Sequence, residues 1–422
     1  MSQRIGKQSL FANIDWILVL LYFALVFIGW INIYAATYSP NSEGILDFSR
    51  NSGKQFVWIV VSVFIALFVI LIDAKFYTTF SWLFYGITTV LIFLVIFVGT
   101  EVSGAKSWIG YGDLGIQPSE FAKTTTAMAL AKFLGESNRN VEQFRIQLIS
   151  FAIFLIPAAI ILMQNDTGSA IVFIVFLFVM YREGMSGTIL WIGFIFILIF
   201  LLTLLFTHWH VIIAIAIFTL FLWFFIRKYR KDVIKLIFIS VFLSSFSFGV
   251  DYIFDNVLQP HQKSRIEVLL GTETDLRGAG YNVNQSKIAI GSGGFVGKGY
   301  LHGTQTKFRF VPEQSTDFIF CTIGEEWGFV GSFTVVGLFL FLLIRIVILS
   351  ERQRSRYSRI YGYGVACVLF THVAINIGMT LGLMPVIGIP LPYISYGGSS
   401  LIAFTIMLFL FIKLDMNRQN IV

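Results

Sequence analysis

Run after run of about 20 apolar residues decides what this chain can fold into. In a bilayer core only the chain itself can satisfy its backbone N–H and C=O groups, so such runs fold as helices. About twelve candidates stand out, near 16–36, 55–72, 78–99, 119–134, 147–164, 168–182, 187–206, 211–226, 234–250, 328–349, 358–381 and 398–414. Composition agrees, because 57% of the residues are hydrophobic and only 13% are charged, a surface no soluble domain tolerates. The first run is longer than a signal-peptide core and no small-residue cleavage site stands out, so it is expected to be a retained membrane helix. The two cysteines, Cys321 and Cys367, both fall in apolar stretches and suggest no disulfide framework. The expected fold is an all-α polytopic membrane protein, with residues 1–422 forming one integral domain.

Basic residues set the orientation. Arg4 and Lys7, Lys75, Arg139, Arg145, Arg182, the Arg227–Lys231 run, the Arg352–Arg359 cluster, Lys413 and Arg418 all fall on one side if the spans alternate. Loops 164–168 and 207–210 on the other side carry no Lys or Arg, and 382–397 carries no charge. By the positive-inside rule both termini are cytoplasmic and the polar segment 251–326 is a large extracytoplasmic loop. The net charge of +7 is explained by these topology-setting clusters, so no nucleic-acid partner is implied.

The 251–326 segment is where chemistry is expected. Its glycines let the backbone approach a ligand closely, and Asp275, Arg277, Lys287, Lys298 and Lys307 lie among them or just beyond. Gln117-Pro118-Ser119-Glu120 makes a good helix start. Glu120 and Lys123, three residues apart, can pair on one face. That pair reads either as a structural ion pair or as the polar wall of a substrate cavity. Lys106 can meet an anionic headgroup, and Trp108 suits the interfacial aromatic belt or the same ligand. Asp166 lies in the polar turn Gln164–Gly168, on the same face as the long loop. Pro385, Pro390 and Pro392 precede Tyr393–Ser400 in an uncharged loop for which packing or re-entry suffices. The Gly291–Gly294 stretch lacks the Gly-Lys-Ser/Thr ending of a phosphate loop, metal-binding His spacing is absent, and no Gly-x-Ser-x-Gly elbow occurs. Asp275 among glycines and lysines, beside a helical cavity, suits a phosphate-bearing lipid.

These residues carry a resemblance. Lys106-Ser-Trp-Ile109, Gln117–Glu120 with Lys123, Gly280-Tyr281, Gln285–Gly294, Gly297-Lys-Gly299, Gly303–Thr306, Pro312-Glu313, Thr316–Phe320, Glu325-Glu326 and Pro390–Ser399 are similar, in order, to the SEDS family of membrane peptidoglycan polymerases. The Gly303-Thr-Gln-Thr306 wording resembles the RodA (elongation) branch more than the FtsW (division) branch. Three departures stand out. Gln164-Asn-Asp-Thr-Gly168 replaces Gln-Pro-Asp-Leu-Gly, and Asp275-Leu276 replaces Asp-Pro. The family usually has ten spans, so about twelve implies an extra pair near 187–250.

The resemblance implies a peptidoglycan glycosyltransferase of the bacterial cytoplasmic membrane, polymerising lipid II during elongation and shape maintenance. It implies Asp275 as the base that takes the proton of the attacking sugar hydroxyl. Lys106 and Arg277 are candidates to steady the departing pyrophosphate; Lys298, Glu120, Lys123, Asp166 and Trp108 are candidates for the rest of the substrate site. A divalent cation, Mg or Mn, is a further candidate beside the pyrophosphate, and no organic cofactor is implied. The implied partners are lipid II, undecaprenyl-linked glycan, membrane lipids and a class B penicillin-binding protein. A lipid-linked precursor flippase and a non-catalytic partner of such a transpeptidase are the competing readings.

Overall fold

The computed structural model describes residues 13–38, 44–102, 104–110, 115–136, 139–256, 263, 267, 279–308 and 310–418. In chain order the helices are α1 (Trp16–Thr37), α2 (Asn51–Leu71), α3 (Ala74–Thr79), α4 (Ser81–Val98), α5 (Pro118–Gly135), α6 (Phe144–Met163), α7 (Thr167–Val172) and α8 (Phe176–Arg182). There follow α9 (Thr188–Leu205), α10 (His208–Ile226), α11 (Arg230–Asn256), α12 (Ala279–Gly293), α13 (Thr304–Lys307), α14 (Ile319–Glu351), α15 (Arg356–Thr380) and α16 (Gly398–Met416). A small antiparallel hairpin, β1 (Thr100–Val102) and β2 (Ala105–Trp108), interrupts an otherwise helical chain.

Every one of the expected apolar runs is helical, but among the described residues 10 helices are long and apolar enough to cross a bilayer. The two that drop out have different reasons. The α5 helix carries Lys123, three threonines and Lys132, and the α7–α8 run Thr167–Arg182 is short. The expectation of about twelve spans is thus corrected to ten candidates, the number the resemblance implied. The 251–326 segment is also less of a loop than expected: α11 runs on to Asn256, α12 occupies its middle, and α14 begins at Ile319.

The chain divides into two compact units, one of residues 1–185 and 282–422, the other of 186–281. In the first, α5 is the axis, packed by α4, α6, α15 and α16 and buried along nearly its whole length. Its small side chains explain this, since Ala and Thr let neighbouring backbones come close where lipid gives helices little other reason to associate. The Thr125 hydroxyl meets that of Thr88 on α4 at 2.6 Å, and a Cβ on Gly364 of α15 would stand 3.1 Å from that of Ala127.

One end of this unit is clasped by ion pairs. Asp15 caps α1 through the Leu18 N–H at 3.1 Å and accepts from Arg345 at 2.5 Å. Arg352 donates to Asp415 at 2.5 Å and lies 3.8 Å from Asp15, while Gln353 donates to the same Asp415 carboxylate at 2.6 Å. Arg359 meets Glu183 at 2.9 Å, and the Lys413 ammonium donates to the Ile70 carbonyl at 2.7 Å. The ends of α1, α2, α8, α14, α15 and α16 that the basic residues assign to one side therefore lie together.

At the other end α12 packs on a small core of Ala289, Val311, Phe318 and Cys321, with Val283 and Ile290 against it. Helix α14 bends at Gly328, whose φ of 62° and ψ of −155° fall in a region essentially reserved for glycine. A Cβ there would also meet the Gly297 nitrogen, with the Val296 carbonyl carbon at 2.8 Å and the Gly294 oxygen at 2.9 Å. Gly328→Ala is expected to cost more than the roughly 1–3 kcal/mol of backbone strain alone, seen as a lowered thermal midpoint in detergent.

Among the described residues the second unit is built on three long helices, α9, α10 and α11. Thr203 and Ser247 share a hydroxyl contact at 2.8 Å, Thr219 and Ser240 one at 2.6 Å, and the Phe196 and Phe246 rings meet edge to face at 4.7 Å. Away from the basic Arg227–Lys235 stretch, these helices expose many large apolar side chains, as suits helices whose solvent is lipid. The three runs expected over 187–250 all remain among the ten candidates, so the extra pair expected there is corrected: the two runs that leave the count are α5 and α7–α8.

Candidate functional site

Helix α5 starts as its sequence requires. Pro118 takes the first turn, where a missing N–H costs nothing, and Glu120 lies in the turn favourable to a carboxylate. The Gln117 N–H is taken by the Ser399 hydroxyl at 3.2 Å, which itself donates to the Gly115 carbonyl at 3.1 Å. The Gln117 amide donates to Asp166 at 2.9 Å. Asp166 also caps α7 through the Ser169 N–H at 2.9 Å, so it is a buried tether between two helix starts. Its altered turn places Asn165 at a φ of 61°, which asparagine tolerates better than most side chains.

The hairpin joins this layer. Lys106 donates its backbone N–H to the Gln164 carbonyl at 3.0 Å, and the Gln164 side chain donates to the Ile92 carbonyl at 2.6 Å. Among the described residues the Lys106 ammonium, which has three hydrogens to donate, makes one hydrogen bond, to the Phe97 carbonyl at 3.2 Å. Trp108, on the same strand, is half-buried.

One helical turn into α5 lies the expected pair. Lys123 is 0% exposed, and its ammonium donates to Glu120 Oε1 at 2.7 Å. It also stands 2.9 Å from His372 Nε2 and 5.5 Å from the centre of the Phe404 ring. Among the described residues the other Glu120 oxygen is buried without a hydrogen-bond partner. The pair is thus enclosed between helices in this conformation, as the structural reading of the sequence allowed. His372 carries no sequence signal for this role, since its partner Lys123 lies 249 residues away.

Lys298, expected at the substrate, instead pins down the glycine-rich segment. Its ammonium donates to Glu325 at 2.7 Å and to the Thr304 hydroxyl at 2.7 Å. Glu325, 0% exposed, also accepts the Gln305 N–H at 2.8 Å and the Thr306 N–H at 2.9 Å, capping the short helix α13. Burial pushes the Tyr300 phenol up to about 12, helped by the Glu326 charge, so it stays a neutral donor toward the Ile31 carbonyl at 3.4 Å. The Thr304 hydroxyl also donates to Glu325, at 3.2 Å, so replacing Glu325 by Gln removes a charge from four hydrogen bonds, each worth about 1.5–3 kcal/mol when charged. Faster backbone hydrogen exchange across residues 298–308 is the expected result.

The uncharged 385–397 segment is stitched to Thr316-Asp317-Phe318. Ser395 donates to the Thr316 carbonyl at 2.7 Å, Tyr396 donates its N–H to the Ser315 carbonyl at 2.9 Å, and Asn376 on α15 donates to the Asp317 and Ile389 carbonyls, both at 2.8 Å. A recess of about 310 Å³ opens nearby, lined by Thr37, Arg50, Asn51, Pro312, Gln314 and Ser315. Arg50 is held there by Asp47 at 3.1 Å, and the Ser49 hydroxyl and N–H hold the Asp47 carboxyl below its ordinary range. Asp275 and Arg277 lie outside the described residues. Among the described residues no three His, Cys, Asp or Glu side chains gather to hold a metal ion.

Comparison with known proteins accounts for this layout. A family model described as cell cycle protein, of the FtsW, RodA and SpoVE type, matches residues 15–420. The chain is 37% identical to the peptidoglycan glycosyltransferase RodA of Treponema pallidum, over 92% of this chain and 94% of that one. It is 32% identical to the peptidoglycan glycosyltransferase MrdB of Escherichia coli K12, covering 88% and 86%. Among solved structures it is similar to a chain of a peptidoglycan synthase complex that coordinates polymerization and crosslinking, with a TM-score of 0.70 and 26% identity over 96% and 98% of the two chains. The crystal structure of the rod shape determining protein RodA of Thermus thermophilus gives a TM-score of 0.62 at 25% identity, over 96% and 98%. The chain belongs to the FtsW/RodA/SpoVE family of integral membrane proteins.

Proposed function

We propose that this chain is a peptidoglycan glycosyltransferase of the elongation branch, which polymerises lipid II at the outer face of the bacterial cytoplasmic membrane. The observation that carries the reading is the 37% identity, across nearly the whole length of both chains, to a relative named for that activity. The basic, ion-paired end of the first unit faces the cytoplasm in this reading, with both termini, and the hairpin, α12 and the 293–318 segment face outward. In the reaction the 4-hydroxyl of an incoming lipid II GlcNAc attacks the anomeric carbon of the growing glycan, inverting it. Asp275 takes the hydroxyl proton, and undecaprenyl pyrophosphate leaves. Charge on the leaving group is the largest that develops, so fixed cations matter most there. Lys106, whose ammonium has one hydrogen bond among the described residues, and Arg277 are the proposed partners. Burial of the prenyl tail at roughly 0.8 kcal/mol per CH₂ keeps the substrate in the bilayer and leaves specificity to the headgroup.

Asp166, Glu120, Lys123 and Lys298 serve this site by holding its walls, because each is already committed to protein partners. A divalent cation, Mg or Mn, beside the pyrophosphate stays part of the proposal for the assay below to decide, and no step here depends on one. A class B penicillin-binding protein is the proposed partner, supported by the likeness to a chain of a synthase complex. The test is to incubate purified chain with labelled lipid II, with and without Mg²⁺ or Mn²⁺ and the transpeptidase. Glycan ladders are the expected result. Movement of intact lipid II across vesicles without polymer would instead make the chain a flippase, and neither activity would make it a scaffold.

A further inference from the structure

Lys123, ion-paired with Glu120 at 2.7 Å, is enclosed by protein, and its neighbours fix the chemistry of His372. A lysine ammonium has three donors and no acceptor. The nitrogen it approaches at 2.9 Å, His372 Nε2, is therefore the unprotonated one. Nδ1 then carries the hydrogen and donates to the Pro390 carbonyl at 3.1 Å. The ring is held edge to face against Phe404 of α16, 4.8 Å between centres at 81°, and is 0% exposed. From α5 the charges facing it are Lys123 and, behind that, Glu120, while residues 385–412, covering the Pro390 segment and most of α16, carry no charged side chain. One turn along α15, Asn376 bonds the Ile389 carbonyl, so two consecutive carbonyls of the 385–397 segment hang from one helix face.

We propose that His372 is a positioning residue: a neutral imidazole of fixed tautomer that strings the Lys123 ammonium to the Pro390 carbonyl. It thereby fixes the segment leading to Ser399, whose hydroxyl in turn holds the start of α5 beside Asp166. The unpaired Glu120 oxygen makes the arrangement asymmetric, since Lys123 is drawn to one carboxylate oxygen and the imidazole supplies its second acceptor. Without that acceptor the ammonium has one buried oxygen to satisfy it and the Pro390 carbonyl loses its donor. The proposal rests on the glycosyltransferase reading only for its activity readout.

Two variants and one spectrum test it. The side-chain amide of His372→Gln can accept from Lys123 through oxygen and donate to Pro390 through nitrogen, whereas His372→Leu fills the space and can do neither. In the lipid II assay His372→Gln is expected to keep most of the turnover. His372→Leu is expected to lose about tenfold or more, the equivalent of one charge-assisted hydrogen bond. In ¹⁵N-histidine spectra of wild-type protein in detergent, the signal missing from His372→Gln is expected to be a neutral ring protonated at Nδ1. An Nε2-protonated ring or an imidazolium overturns the assignment, and a fully active His372→Leu overturns the positioning role. If wild-type protein makes no glycan, the glycosyltransferase reading fails while the spectrum still decides the tautomer.

Discussion

Asp275→Asn is expected to reduce glycan polymerisation by about 10²–10⁴-fold, the usual contribution of a positioned general base, with the yield and thermal midpoint of the purified protein unchanged. Asparagine keeps the shape and hydrogen-bonding reach of the side chain but cannot take the hydroxyl proton. Lipid II binding is expected to survive, because membrane partitioning of the tail and the cations at the pyrophosphate are untouched. The measurement is glycan length and yield from labelled lipid II, beside a binding assay on the same sample. Normal polymer from the variant would remove Asp275 as the base and leave the reaction without a proton acceptor.

The second large effect concerns stability. Lys123→Met is expected to destabilise the folded protein by about 3–5 kcal/mol, because it strands a carboxylate inside the helix bundle. Glu120 already has one oxygen without a partner, and the variant would deprive it of the other. Adding Glu120→Gln to Lys123→Met is expected to restore much of the loss, since replacing both members of a buried pair costs far less than removing one. Thermal or denaturant unfolding in detergent of the two singles and the double closes the cycle. Equal stability of Lys123→Met and wild type would show that the pair is wetted rather than enclosed.

How far the chain could be read without its structure follows from what lipid does to sequence. Helices such as α1, α6 and α9 announce themselves, because a span facing lipid must be apolar on almost every side. Helix α5 is equally buried but faces protein, so its threonines and Lys123 read as a weak span; only its Gln-Pro-Ser-Glu start marked it. Helix α12 was hidden by its glycines. In water Gly280, Gly291 and Gly293 would argue against a helix, yet here a bare Gly293 lets α12 come against the Gly324 carbonyl of α14, where any Cβ would collide. The paired Glu120 and Lys123 were legible because three-residue spacing is local. Glu325 could be seen only as part of a motif, and its role as acceptor for Lys298 and two backbone N–H groups depends on a loop returning 19 to 27 residues in sequence. His372 gave no signal, since its partner is 249 residues away.

The clasp at the basic end has a consequence for how the protein is made. Asp15 leaves the ribosome before almost everything else in the structure, while its guanidinium partner, Arg345, is 330 residues downstream. Asp415, which Arg352 must find, follows 63 residues later. Until Arg345 is made the first helix therefore has only its own Leu18 N–H for this carboxylate, and the bundle is locked only when the last helix is inserted. Chains cut short before that point should be open to quality-control proteases at this end, however well their earlier helices have packed.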